Sequence, residues 1–303
     1  MSFIGAIELA PWFSYLLYIA LWRIIRWLPE ELAYASARAS ASLIHKRNGR
    51  RVQRMRQNYA QANPGTTPSE LESLVHEGLC NAMRYWCDTF RIGDWSKEQI
   101  SKTVQTIHEE LLVEGVKSGR GLIVALPHAG NWDHAGLYFC SKGITVHTVA
   151  EHLKPEKLFQ RFLAHREAMG MRVFDLNKDV IGELIEVLRN GGLVALVADR
   201  DLSKSGIDVE FLGGNARMPA GPALLAYRTG ADLITAYVSY TPSGIEIEFE
   251  GPFSVNRKED ERSEVLRVTQ ALADQFGSNI RANPTSWQMM QRIFVDRLEE
   301  AQK

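Results

Sequence analysis

A chain of 303 residues is long enough for one large domain or two small ones, with ample core. Hydrophobic residues make up 45% and charged residues 23%, ordinary globular values without repeats or low-complexity tracts. A formal net charge of −1 excludes a generic pull toward nucleic acid, and three cysteines without a CxxC spacing (Cys80, Cys87, Cys140) fit a reducing compartment.

From Leu9 to Trp22 no charged residue occurs, which is about 21 Å of helix at ~1.5 Å per residue. A bilayer core needs roughly 30 Å, so the stretch is too short to span one. A signal peptide is disfavoured, because only Glu8 carries charge before the run and Arg23 and Arg26 lie within its continuation. Trp12, Phe13, Tyr15, Leu16, Ile19, Trp22 and Trp27 have the composition of an interfacial helix, although a helix packed on the protein body fits equally. The basic run Lys46, Arg47, Arg50, Arg51, Arg54 and Arg56 follows. Beside an apolar segment it is expected to face an anionic membrane, each charge contributing about 1 kcal/mol, weakened by salt. No nucleic-acid motif accompanies it.

Thr67-Pro68-Ser69-Glu70 is a capping box with proline at the first helical position. Leu71, Leu74, Val75, Leu79, Ala82, Trp86 and Phe90 then recur at helical spacing, so roughly the first 95 residues are expected to be helical. An α/β body follows. Leu122–Leu126 is an uninterrupted apolar run, suited to a strand buried on both faces of a parallel sheet, and it stops at Pro127 and His128. Asn131 is a helix cap that places Asp133 in the first turn. Ile144–Ala150 predicts a strand ending at Glu151, and Pro155 opens a helix through Leu158, Phe162 and Arg166 to Gly170. Arg172–Leu176 is a further strand candidate, and Asp179 caps a helix ending at Gly191-Gly192. Leu193–Ala198 predicts another buried strand, ending at Asp199 and Arg200. Phe211–Pro222 reads as a glycine- and proline-rich loop, followed by a helix over Ala223–Thr229. Leu233–Tyr240 and Ile245–Phe249 form a hairpin, and a helix over Glu264–Ile280 precedes an aromatic tail at Trp287.

Three apolar runs thus end in His128, Glu151 and Asp199, at one sheet edge if the strands are parallel, where open α/β sheets gather ligands. His128 and Asp133 form an HxxxxD pattern suited to general-base catalysis: the imidazole removes an alcohol proton and a carboxylate fixes its tautomer. Asp199 would give the base a second partner. His128, Asp133, His134, His147 and His152 lack HExxH or HxHxDH spacing, so no metal is expected. There is no GxSxG elbow, so direct attack of a substrate hydroxyl on an activated acyl group is the more economical mechanism.

The segment LPHAGNWD resembles the HX4D motif of the glycerolipid acyltransferase superfamily. RYWCDTFRI, TVAEHLKPEKLFQRF, ADRDLSKSG, FLGGNARMPAGPALLA and PTSWQMMQ extend the likeness to the bacterial lauroyl and myristoyl lipid A acyltransferases, and most to the phosphatidylinositol mannoside acyltransferases among them. The resemblance implies one α/β acyltransferase domain over residues 1–303, its mostly parallel sheet flanked by helices and its first 60 residues facing a membrane. It implies His128 as base, Asp133 as its orienting aspartate, and Glu151 and Arg166 in an acceptor head-group site. Asp199 stands where the family has a glutamate on the histidine. One methylene shorter, it is expected to reach the ring only through a shift or a water. Arg200 and Arg217 are implied as phosphate or coenzyme A contacts. The implied reaction moves a fatty acyl group, palmitoyl, from acyl-CoA to the mannose 6-position of a phosphatidylinositol mono- or dimannoside. It needs no cofactor and takes place at the cytoplasmic face of the cell membrane, on a peripheral protein.

Overall fold

A computed structural model describes residues 11–150, 155–176, 179–201 and 206–295. Four helices come first: α1 (Pro11–Trp27), α2 (Glu30–Arg47), α3 (Arg50–Ala62) and α4 (Pro68–Arg91). The capping box at Thr67 is formed, the Thr67 side chain accepting from Glu70 N–H and the Glu70 carboxylate receiving Thr67 N–H. The short helix α5 (Lys97–Lys102) leads into β1 (Val104–Ile107) and α6 (Glu109–Lys117), which the sequence patterns did not single out. A four-residue edge strand with two polar central residues, Gln105 and Thr106, carries too little alternation to register.

The α/β body then runs β2 (Leu122–Leu126), α7 (Trp132–Ser141), β3 (Val146–Ala150), α8 (Glu156–Ala168), β4 (Arg172–Asp175), α9 (Val180–Arg189) and β5 (Leu193–Val197). The chain continues through β6 (Ile207–Phe211), β7 (Gly214–Met218), α10 (Gly221–Thr229), β8 (Asp232–Thr241), β9 (Gly244–Glu250) and α11 (Glu261–Ala282). Seven strands form one sheet in the order β1-β9-β8-β2-β5-β3-β4. β8, β2, β5, β3 and β4 run parallel, while the hairpin return β9 and its neighbour β1 run the other way.

Strand alternation divides the core between the two faces. Leu122, Val124 and Leu126 pack with α6 and α7, whereas Ile123 and Ala125 pack with α3, α4, α9, α10 and α11. Both faces are covered, which is why the inner strands read as unbroken apolar runs.

Two expectations are corrected. The stretch read as a loop contains the turn and second strand of the β6–β7 hairpin: Phe211 pairs with Gly214 across Leu212 and Gly213, both at positive φ (53° and 78°). That is the backbone of a tight two-residue hairpin turn, but leucine at its first position hides the usual Asn-Gly or Gly-Gly signal. Asp179 does stand at the N-cap of α9, as expected, but its side chain makes no cap hydrogen bond.

At the N-terminus α1 packs on the body with one face and leaves the other open. Trp22 is buried, stacked on Phe90 at 5.1 Å and against Phe162 at 5.5 Å. Leu16, Ile24 and Trp27 point outward, Trp27 at 87% exposure. Among the described residues no helix is long and apolar enough to cross a membrane.

Candidate active site

β2 and β5 are adjacent and parallel, in a register that ends with Leu126 opposite Val197. Two residues further along each strand, the chain arrives at His128 and Asp199. The residues between are also tied, by the Ala198 N–H to Leu126 C=O bond. His128 and Asp199 are therefore placed opposite each other by sheet register alone. The Asp199 carboxylate accepts His128 N–H at 3.0 Å on one oxygen and meets the ring Nδ1 at 2.5 Å with the other. The bond is direct, so neither the expected shift nor a bridging water is needed. An aspartate suffices because its backbone follows the strand by only two residues, which brings the carboxylate to the ring.

Asp199 is fully buried, and burial alone would push its carboxyl up. The charge and hydrogen bonds of His128 outweigh that, and with the Trp287 Nε1–H bond at 2.8 Å they hold it below its ordinary value. A carboxylate on Nδ1 makes that nitrogen the N–H donor and leaves Nε2 as the basic one. The ring lies edge-on to Trp132, with centroids 5.7 Å apart.

The loop bearing His128 is gripped by the segment after α11. Gly130 N–H donates to Ser286 C=O, Gln288 N–H to His128 C=O, and the Gln288 amide to Gly130 C=O. Gly130 sits at φ +57°, where a Cβ would come within 2.5 Å of Val238 O, so only glycine fits. Trp287 and Gln288 were not singled out as site residues; the sequence marks them only through an aromatic tail at Trp287 and the motif PTSWQMMQ.

Asp133 has a different partner from the expected one. Its carboxylate accepts from Tyr85 Oη at 2.9 Å and from Arg166 Nε and Nη2 at 2.7 and 3.2 Å. The first turn of α7 directs it toward α4 and α8, while the Nδ1 position on His128 is taken by Asp199. Burial would lower the Arg166 pKa, but the Asp133 charge and hydrogen bond raise it above its ordinary value. Burial, then the charge of Asp133, raises the Tyr85 hydroxyl. Of the four expected binding residues, Glu151 lies outside the described residues, as does His152. Arg200 bonds Gln291, and Arg217 pairs with Asp208 at 2.7 Å.

His128, Asp133, Arg166 and Arg200 line a common cavity of about 690 Å³, within the ~300–1,000 Å³ usual for ligand sites. Most of its wall is apolar. It runs from the sheet edge under α7, where Ala135, Gly136 and Phe139 face it, down to Leu112, Ile247 and Phe249. Val180, Ile181 and Leu184 of α9 line its other side. Among the described lining residues there is no serine or cysteine. Nor do three His, Cys, Asp or Glu side chains gather as a metal-binding group among the described residues.

Comparison with known proteins identifies relatives over nearly the whole chain. Residues 8–295 match the family model described as bacterial lipid A biosynthesis acyltransferase. The chain is 33% identical to the phosphatidylinositol mannoside acyltransferase of Mycolicibacterium smegmatis, covering 100% of this chain and 98% of that protein. It is 36% identical to the protein of the same name from Mycobacterium tuberculosis, covering 94% of this chain and 90% of the relative. With the match extending over almost every described element, the chain belongs to the bacterial lipid A biosynthesis acyltransferase family.

Proposed function

We propose that this protein is a membrane-associated O-acyltransferase moving a fatty acyl group, palmitoyl, from acyl-CoA to the mannose 6-hydroxyl of a phosphatidylinositol mono- or dimannoside. The observation that carries the reading is His128, held through Nδ1 by a buried carboxylate in the wall of a largely apolar cavity. The acceptor class follows the names of the relatives.

In this mechanism Nε2 of His128 takes the proton of the mannose hydroxyl as its oxygen attacks the thioester carbonyl. The tetrahedral intermediate collapses, the C–S bond breaks, and the imidazolium returns its proton to the departing thiolate. Asp199 keeps the ring in the Nδ1–H tautomer and offsets the positive charge that develops. That the described residues of the cavity wall include no serine or cysteine is in keeping with direct transfer rather than an acyl-enzyme. Arg166 and Asp133, both in the wall, are positioned to hydrogen-bond sugar hydroxyls.

General-base assistance is typically worth ~10²–10⁴-fold, so His128→Ala is expected to lose turnover by about that factor while the protein still folds, checked by circular dichroism. Mass spectrometry of products from palmitoyl-CoA with a panel of glycolipid acceptors tests the reading directly. Acylated mannoside is the expected product. Coenzyme A release indifferent to every acceptor would identify a hydrolase instead.

A further inference from the structure

Half-buried guanidinium groups in this protein are almost all spoken for. Arg56 binds Glu72, Arg84 and Arg91 bind main-chain carbonyls, Arg166 binds Asp133, Arg200 binds Gln291 and Arg217 binds Asp208. Arg54 and Arg292 are the exceptions: both are half-buried, and neither has a hydrogen-bond acceptor or carboxylate among the described residues.

Their position is determined by neighbouring contacts. Asn58, one turn beyond Arg54 on α3, donates its side-chain amide to Met289 C=O at 3.0 Å and Gln291 C=O at 2.9 Å. That bond holds α3 against the segment carrying Arg292. Gln291 in turn receives the guanidinium of Arg200, which lines the cavity. A ridge of positive charge therefore leads from the cavity wall at Arg200 past Arg292 to Arg54, with Arg50 a turn further along α3. Burial and the like charges of Arg292, Arg50 and Arg51 lower the Arg54 pKa. Like charges held close together without a counter-ion are unfavourable unless an anion joins them.

Accepting the acyl-CoA donor argued above, we propose that Arg54 and Arg292 bind the phosphates of the coenzyme A nucleotide, leaving the thioester to reach His128. A thioester whose acyl chain occupies the apolar cavity must lead its pantetheine arm out through the mouth. The pyrophosphate and 3′-phosphate then lie outside it, where planar guanidinium groups suit phosphate oxygens. This assigns Arg54 to a soluble nucleotide rather than to the membrane face expected from the basic run alone.

The test is calorimetric titration of the full chain with coenzyme A, dephospho-coenzyme A and pantetheine, for wild type, Arg54→Gln, Arg292→Gln and the double variant. Charge-assisted hydrogen bonds of about 1.5–3 kcal/mol correspond to weakening on the order of tenfold or more per contact. Coenzyme A affinity should fall by that factor in each single variant and further in the double one, while pantetheine binding stays the same. Binding of coenzyme A that is equal in all four proteins, or absent in wild type, would overturn the proposal. So would loss of binding to phosphatidylglycerol vesicles with coenzyme A affinity intact, which would return the patch to the membrane. Arginine-dependent coenzyme A binding without acyl transfer to any mannoside would leave this site standing and defeat the proposed acceptor reaction instead.

Discussion

The sequence offers both Asp133 and Asp199 as partners for His128, but their environments assign them different work. Asp199 accepts from the imidazole, from a main-chain N–H and from an indole, all on a fully buried group. Asp133 neutralises a buried guanidinium and accepts a tyrosine hydroxyl. Removing one charge from a buried pair leaves the other uncompensated, at a cost of several kcal/mol. Asp133→Asn is therefore expected to destabilise the protein by about 3 kcal/mol, read as a lower urea midpoint. A midpoint unchanged in Asp133→Asn would mean that the pair with Arg166 contributes little.

At the scale of elements, α7 begins on the Asn131 cap, whose side chain accepts His134 N–H at 3.0 Å. His134 is thereby driven inward: its side chain is buried, and Nε2 shares a hydrogen bond with Thr103 Oγ1 at 3.1 Å. Burial, and then the charge of Arg84, lower its pKa to about 3. The unfolded chain binds a proton near 6.5 while the folded one resists until about 3, so between those values acidification favours unfolding. Asp88 acts in the opposite sense. Burial raises its carboxyl to about 6, so between roughly 4 and 6 the folded state binds the extra proton and gains stability as pH falls. Because a His134→Asn variant removes only the first effect, urea unfolding should show it losing less stability than wild type between pH 7 and pH 4. Parallel losses in the two proteins would contradict the burial argument.

For the whole molecule, the relation of α1 to the cavity matters most. Tyr18 and Trp22 on its inner face pack against Trp86 and Phe162, and both of those side chains line the cavity. The outer face shows Leu16, Ile24 and Trp27, and α2 adds Leu32 and Leu43. A surface of this kind suits the headgroup boundary of a bilayer, and on the proposed reaction it would set the site next to the lipid acceptor. Replacing Leu16, Ile24 and Trp27 by serine should release the protein from vesicles in a sedimentation assay without changing its melting temperature. Trp22→Ala should instead lower the melting temperature, because that ring belongs to the interior. Retention of the triple variant on vesicles would remove α1 as the contact.

Much of this protein is legible from local pattern. The inner strands β2 and β5 announce themselves by unbroken apolar runs between breakers, and the helix starts at Thr67 and Asn131 by side chains that bond their own neighbours. Those signals depend on contacts a few residues apart, so no partner need be known. The β6–β7 hairpin escaped because a leucine occupies a positive-φ position that local preference assigns to other residues.

The sequence by itself determined the fold class, the strand-end histidine and the family, since each is written in neighbouring residues or in motifs read whole. Only the tertiary structure decided which carboxylate meets the imidazole, which face of α1 is open and which arginines have no counter-charge among the described residues. Those are facts of register and packing between segments as distant as His128, Asp199 and Trp287. A hydrogen bond across 71 or 88 positions leaves no periodicity in the chain that forms it.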